Sequence, residues 1–173
     1  MDLLYKKKNQ QYILDSFKEL QNRGFNFQLY IVGDGPLRNQ YQQFIDDNNL
    51  QGNVFLTGKK TDTCLRELYR KADFIIQATL TEGFGKVPLE GFFHGAIPLL
   101  NNIGLAGEMT GNGVRGFLFS AEKRNDLSNT ILSCITHKEQ LTRMISDGRV
   151  YAESITLESW VDSYLNIINT YFE

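Results

Sequence analysis

The feature that most constrains the fold is a regular alternation between short apolar runs and stretches with helical spacing. Apolar runs fall at Phe27–Val32, Val54–Leu56, Phe74–Ala78, Ile97–Leu100 and Gly116–Phe119, each bounded by Gly, Pro, Asn or charged residues. That is the pattern of strands buried on both faces. Between them, Ile13, Phe17 and Leu20, then Leu37, Tyr41, Phe44 and Ile45, then Leu65, Leu68 and Tyr69 recur at helical spacing. Strands joined by long helical crossovers pair in parallel, with helices on both faces. The expected fold is therefore α/β, a Rossmann-like three-layer domain. After Ser120 the strands stop. Leu127, Ile131, Cys134 and Ile135, then Leu141 and Ile145, then Trp160, Tyr164, Leu165 and Ile168 predict three successive C-terminal helices over 121–173.

With 173 residues, 42% of them hydrophobic, the chain supplies the core of one domain. The net charge of -2 comes from scattered residues, which disfavours a nucleic-acid partner. Lys6, Lys7 and Lys8 form the one basic run, and a short terminal run is usually a solvated tail. Cys64 and Cys134 lack the spacing of a zinc or redox site, so no metal or other cofactor is expected, and a reducing cytoplasm is the simplest compartment. No apolar stretch reaches the ~20 residues of a membrane span, so any membrane contact is expected in a part outside this chain.

Two strand-to-helix turns carry candidate chemistry. In Glu82-Gly83-Phe84-Gly85-Lys86-Val87-Pro88-Leu89-Glu90 the glycines let a ligand approach the backbone, and Pro88 suits a first helical turn. Free amides at that helix start face the C-terminal edge of the sheet, where open α/β folds bind phosphates. Glu90, a turn further on, can accept from vicinal ribose hydroxyls, and Glu82 from a sugar. Equally, Glu90 can be a carboxylate that the helix dipole favours, and Glu82 an exposed loop acid. The second turn, Gly33-Asp34-Gly35-Pro36, fails as a dinucleotide fingerprint because its third glycine falls on Arg38. Alone it reads as a tight turn with Pro at a helix start.

In this order and spacing, the two turns resemble the C-terminal domain of the family-4 retaining glycosyltransferases of the GT-B type. The likeness also covers Lys8-Asn9, Val54–Gly58, Leu68-Tyr69, Ala72-Asp73, Gly95–Pro98, Gly104 with Glu108, and Gly113 with Gly116. It implies retaining transfer from a nucleoside diphosphate sugar to an acceptor hydroxyl, with bacterial surface-polysaccharide synthesis as the setting. Mapped onto this sequence, Glu82 contacts the transferred sugar, Glu90 the ribose and Lys8 the diphosphate. Backbone amides at Phe84, Gly85, Lys86 and Val87 reach the sugar and diphosphate, and Lys59 and Lys60 lie near the base. The partner this implies is an N-terminal acceptor domain of the same enzyme, without which turnover is expected to be negligible.

The sequence departs from the pattern at Leu3, where an arginine usually stands, in the strand expected before Lys8, and at Phe92-Phe93-His94, usually smaller. His94 reads as a helix-face residue and His137 as a cap or surface residue. A non-catalytic nucleotide-binding module is the main alternative. An epimerase would need a pair of catalytic acids that the sequence does not offer, and a hydrolase is disfavoured because Glu90 belongs with the ribose.

Overall fold

A computed structural model describes residues 4, 6–81, 85–155, 158–159, 161–162 and 165. After a 3-10 turn at Lys6–Lys8 the elements run α1 (Gln10–Asn22), β1 (Leu29–Val32), α2 (Arg38–Asp47), β2 (Val54–Gly58), α3 (Asp62–Lys71), β3 (Phe74–Gln77), α4 (Lys86–His94), β4 (Ile97–Asn101), α5 (Ala106–Thr110), β5 (Phe117–Phe119), α6 (Asp126–Ile135) and α7 (Lys138–Ser154). Each apolar run of the sequence forms a strand, and every described strand pair is parallel.

Among the described residues the strands fall into two parallel sheets. β1 pairs with β2, and β3, β4 and β5 form a second sheet with β4 in the middle. Among the described residues, no strand pairs with the other edge of β1 or of β3. The two sheets nevertheless share one apolar core, in which Leu29, Ile31 and Val54 meet Ala78, Leu99 and Phe119 beneath α1, α2 and α6. On the opposite face, Phe92, Leu100, Met109 and Ala152 join α4, α5 and α7 to the second sheet. β4 is buried at all five positions, as a central parallel strand covered on both faces must be.

Three boundaries differ from expectation. β1 begins at Leu29 rather than Phe27, because its partner β2 begins at Val54, opposite Leu29. Phe27 packs edge-on against Phe17 instead. Leu37 precedes α2 rather than lying within it. The five-residue helix α5 was not expected, since a segment that short shows no period. Of the third C-terminal helix, residues 158, 159, 161, 162 and 165 are helical, whereas Trp160, Tyr164 and Ile168 lie outside the described residues, as do Leu3, Glu82, Gly83 and Phe84.

Helix α4 is held from two sides. Gly91 lies so close to β3 that a Cβ there would collide with the Ile75 side chain. The buried Phe92 ring lies against Gly148 of α7 and meets Tyr151 edge-on, with centroids 6.0 Å apart. The bulk at Phe92 is thus matched by a glycine across the helix pair. Gly95, at φ +84, closes α4 in the left-handed conformation, and the Ala96 amide bonds back to the Gly91 carbonyl at 3.0 Å.

Gly148→Ala is expected to lower the unfolding free energy in urea by about 1 to 2 kcal/mol, because overpacking at Phe92 outweighs the alanine's gain in helix propensity. An unchanged or higher urea midpoint would contradict that packing. Both cysteines are free thiols, Cys64 exposed and Cys134 buried, and burial pushes the Cys134 thiol up to about 12. At about pH 8 an aromatic disulfide reagent should label Cys64 alone in the folded protein and both thiols in urea.

Candidate functional site

The candidate residues converge on the C-terminal edge of the two sheets. After β1 the chain turns through Gly33, Asp34, Gly35 and Pro36. The Gly33 amide donates to the Gly58 carbonyl at 3.0 Å, so this turn and the end of β2 are tied together. The Asp34 carboxylate accepts from the Gly35 amide at 2.9 Å and thereby shapes its own turn. Arg38, which spoils the dinucleotide fingerprint, anchors the start of α2 by donating from its guanidinium to the Leu56 carbonyl at 3.0 Å. Lys59 is exposed and Lys60 half-buried in the loop beyond Gly58, and Thr61 then caps α3 by accepting from the Cys64 amide.

Lys8 reaches the same edge through its neighbours. The Lys7 carbonyl accepts from the Leu80 amide at 3.0 Å and from the Thr79 hydroxyl at 3.2 Å, just past β3. Four residues before Lys8, the Leu4 amide donates to the Asp34 carbonyl at 3.0 Å. Leu4 is fully buried, and a Cβ on Gly35 would stand 2.7 Å from its backbone nitrogen. Gly35 is therefore small because the chain's own backbone crosses it. The basic run read as an ordinary tail is anchored at the ligand edge by its backbone, with Lys8 half-buried.

Beyond β3 the edge is built by α4. Gly85 precedes the helix, Lys86 and Val87 open it, and Pro88 is buried in its first turn. Pro88 contributes no amide, so the donors left at this helix start are those of the residues around it, each pointing outward. Glu90 follows on α4, half-buried, and the Tyr69 hydroxyl of α3 donates to its Oε2 at 2.6 Å. Glu82, Gly83 and Phe84 lie outside the described residues.

A buried polar link ties these parts together. Asn101, at the end of β4, donates from Nδ2 to the Thr79 carbonyl at 2.9 Å and accepts at Oδ1 from the Ala121 amide at 2.9 Å. Thr79 in turn holds Lys7 and the Thr81 carbonyl. Neither Thr79 nor Asn101 was picked out from sequence, although a polar residue closing the apolar run Ile97–Asn101 was a usable signal. A small pocket beside this link, between the start of α4 and α5, is lined by Gln77, Pro88, Ile103 and Met109 among others. His94 packs its ring on Tyr69, as a helix-face residue, and His137 is exposed at the start of α7. Among the described residues there is no cluster of three His, Cys, Asp or Glu fit for a metal, and no helix long and apolar enough to cross a membrane.

A helix start leaves backbone amides without intrahelical partners, which suits an anion, and a carboxylate such as Glu90 accepts from hydroxyl donors. The model of the family described as glycosyl transferases group 1 matches residues 2–151. An uncharacterized glycosyltransferase of Methanocaldococcus jannaschii is 29% identical over 149 residues, which are 86% of this chain and 41% of that protein. The Anabaena protein HepE, solved in complex with UDP, superposes with a TM-score of 0.79 at 22% identity, covering 96% of this chain and 47% of that one. The C-terminal domain of a glycosyl transferase group 1 family protein from Francisella tularensis superposes with a TM-score of 0.76 at 15% identity, covering 88% of this chain and 82% of that one. At such identities the two structures establish the fold, which is the C-terminal half of a GT-B arrangement. The chain spans less than half the length of the curated relatives it matches. Since the family model matches most of the chain, the chain belongs to the glycosyl transferases group 1 family.

Proposed function

We propose that this chain is the donor-binding half of a retaining, family-4-type glycosyltransferase that moves a sugar from a nucleoside diphosphate sugar to an acceptor hydroxyl. The observation that carries the reading is the convergence, at one sheet edge, of the Lys7-Lys8 backbone, the Gly33–Gly58 tie and the start of α4 bearing Glu90. The HepE complex with UDP supports a nucleotide ligand for the shared fold. In this reading Lys8 and the amides of Gly85, Lys86 and Val87 stabilise the departing diphosphate, and the protein's contribution is largely electrostatic. Glu90 holds the ribose, Glu82 orients the transferred sugar, and the base lies near Lys59 and Lys60. The acceptor pocket belongs to the rest of such an enzyme, since this chain corresponds to under half of its relatives. Assignment to bacterial surface-polysaccharide synthesis rests on the family resemblance alone.

A second reading, a module that binds nucleotide without transferring sugar, is favoured by Leu3 standing where the family pattern has arginine. The two part on turnover, which the module lacks even when joined to an acceptor domain.

Thermal unfolding with UDP, GDP and ADP tests the donor site. A diphosphate at ~100 times its dissociation constant stabilises the fold by about 2.7 kcal/mol, roughly 5 to 10 °C for a domain of this size. One diphosphate should give that shift and Glu90→Ala should abolish it; no shift with any of the three would count against the donor assignment. Gly35→Ala should displace the Leu4–Lys8 backbone and weaken the binding of that diphosphate by about tenfold, while sparing the corresponding nucleoside, as titration calorimetry would show. Equal weakening of both would mean that Lys8 does not serve the phosphates.

A further inference from the structure

We infer that Tyr69 is the positioning residue of the ribose contact, fixing the Glu90 carboxylate as an acceptor for vicinal hydroxyls; this rests on the donor-site reading above. Tyr69 and Glu90 are 21 residues apart, on different helices, and meet because α3 packs beside α4. The phenol donates to Glu90 Oε2 at 2.6 Å, the short distance of a hydrogen bond to a charged acceptor. Its ring lies nearly parallel to the His94 imidazole, with centroids 5.7 Å apart and planes 15° apart. His94 is one turn beyond Glu90 on the same helix, so α4 holds the tyrosine by its ring and by its hydroxyl. Both attachments of the tyrosine side chain are thus to α4, so its ring contact and its hydrogen bond fix the phenol against the same helix that carries Glu90.

This arrangement has a chemical consequence. Glu90 on a flexible stem samples several rotamers, and each must be frozen when a ligand binds. The Tyr69 hydrogen bond selects one of them beforehand, which lowers the ordering cost of binding. It also satisfies part of Oε2 with a donor and keeps the carboxylate an acceptor. The groups that suit what remains, Oε1 and the other lone pairs, are donors such as the hydroxyls of a ribose. A nucleotide without those hydroxyls gains nothing from the tyrosine. Tyr69 thereby contributes to selection of an intact ribose without touching it.

The experiment compares UDP with 2′,3′-dideoxy-UDP by titration calorimetry for the unaltered chain, Tyr69→Phe, Glu90→Gln and the double variant. Tyr69→Phe keeps the ring on His94 and removes only the hydroxyl. It should weaken UDP about 5- to 20-fold and leave dideoxy-UDP within about twofold. The double variant should bind UDP no more weakly than Glu90→Gln alone, because the two groups act as one. His94→Ala, which loosens the ring but keeps the hydroxyl, should give a smaller loss confined to UDP. Equal loss for both nucleotides, or no loss, in a Tyr69→Phe protein whose Glu90→Gln counterpart is impaired would overturn the positioning role while sparing the donor site. No effect of Glu90→Gln, or no binding of UDP by the unaltered chain, would overturn the ribose assignment and this inference with it.

Discussion

The ligand edge depends on the clamping of α4. Gly91 lets the helix approach β3 closely, and Phe92 on its other side fills the space that Gly148 leaves on α7. These neighbouring residues face in different directions, so the helix is fixed in both depth and rotation. Its first turn then presents amides at the edge, and Glu90 is turned toward α3. A carboxylate on a helix free to roll by a fraction of a turn would lose both its tyrosine and its place among the other candidate groups. Packing at Phe92 is thus part of the site's construction even though no ligand would touch it.

A second layer of organisation is polar and buried. Asn101 links the ends of β4 and β3 and the segment after β5, and Thr79 passes that link to Lys7. Each of these groups finds a partner on another element, so the interior carries them without the penalty of unsatisfied groups. The result is that the Lys7 segment is registered against the ends of β3 and β4 by hydrogen bonds of fixed direction, which apolar packing alone would not supply.

The strands were legible in the sequence because each is a short apolar run stopped by glycine, asparagine or charge, and their parallel pairing followed from the length of the crossovers. The start of α4 was equally legible from Gly85 and Pro88. Other features left no local trace. The bond between Tyr69 and Glu90 depends on how α3 lies against α4, and the nearness of Leu4 to Gly35 depends on a backbone crossing that no spacing encodes. α5, five residues with Gly107 in second place, is too short to display a period. Glu82 and its two neighbours remain expectations from the family resemblance.

The unpaired edges of β1 and β3 bear on what holds the domain together. No ladder joins the two sheets among the described residues, so parting them disrupts side-chain packing and a handful of turn hydrogen bonds rather than a run of backbone pairs. The shared core, in which Leu29, Ile31 and Val54 meet Ala78, Leu99 and Phe119, therefore carries the junction. The Gly33–Pro36 turn and Lys59 stand on one side of it, Glu90 and the start of α4 on the other. The spacing between these two groups of turns is thus set largely by side chains that neither group contains.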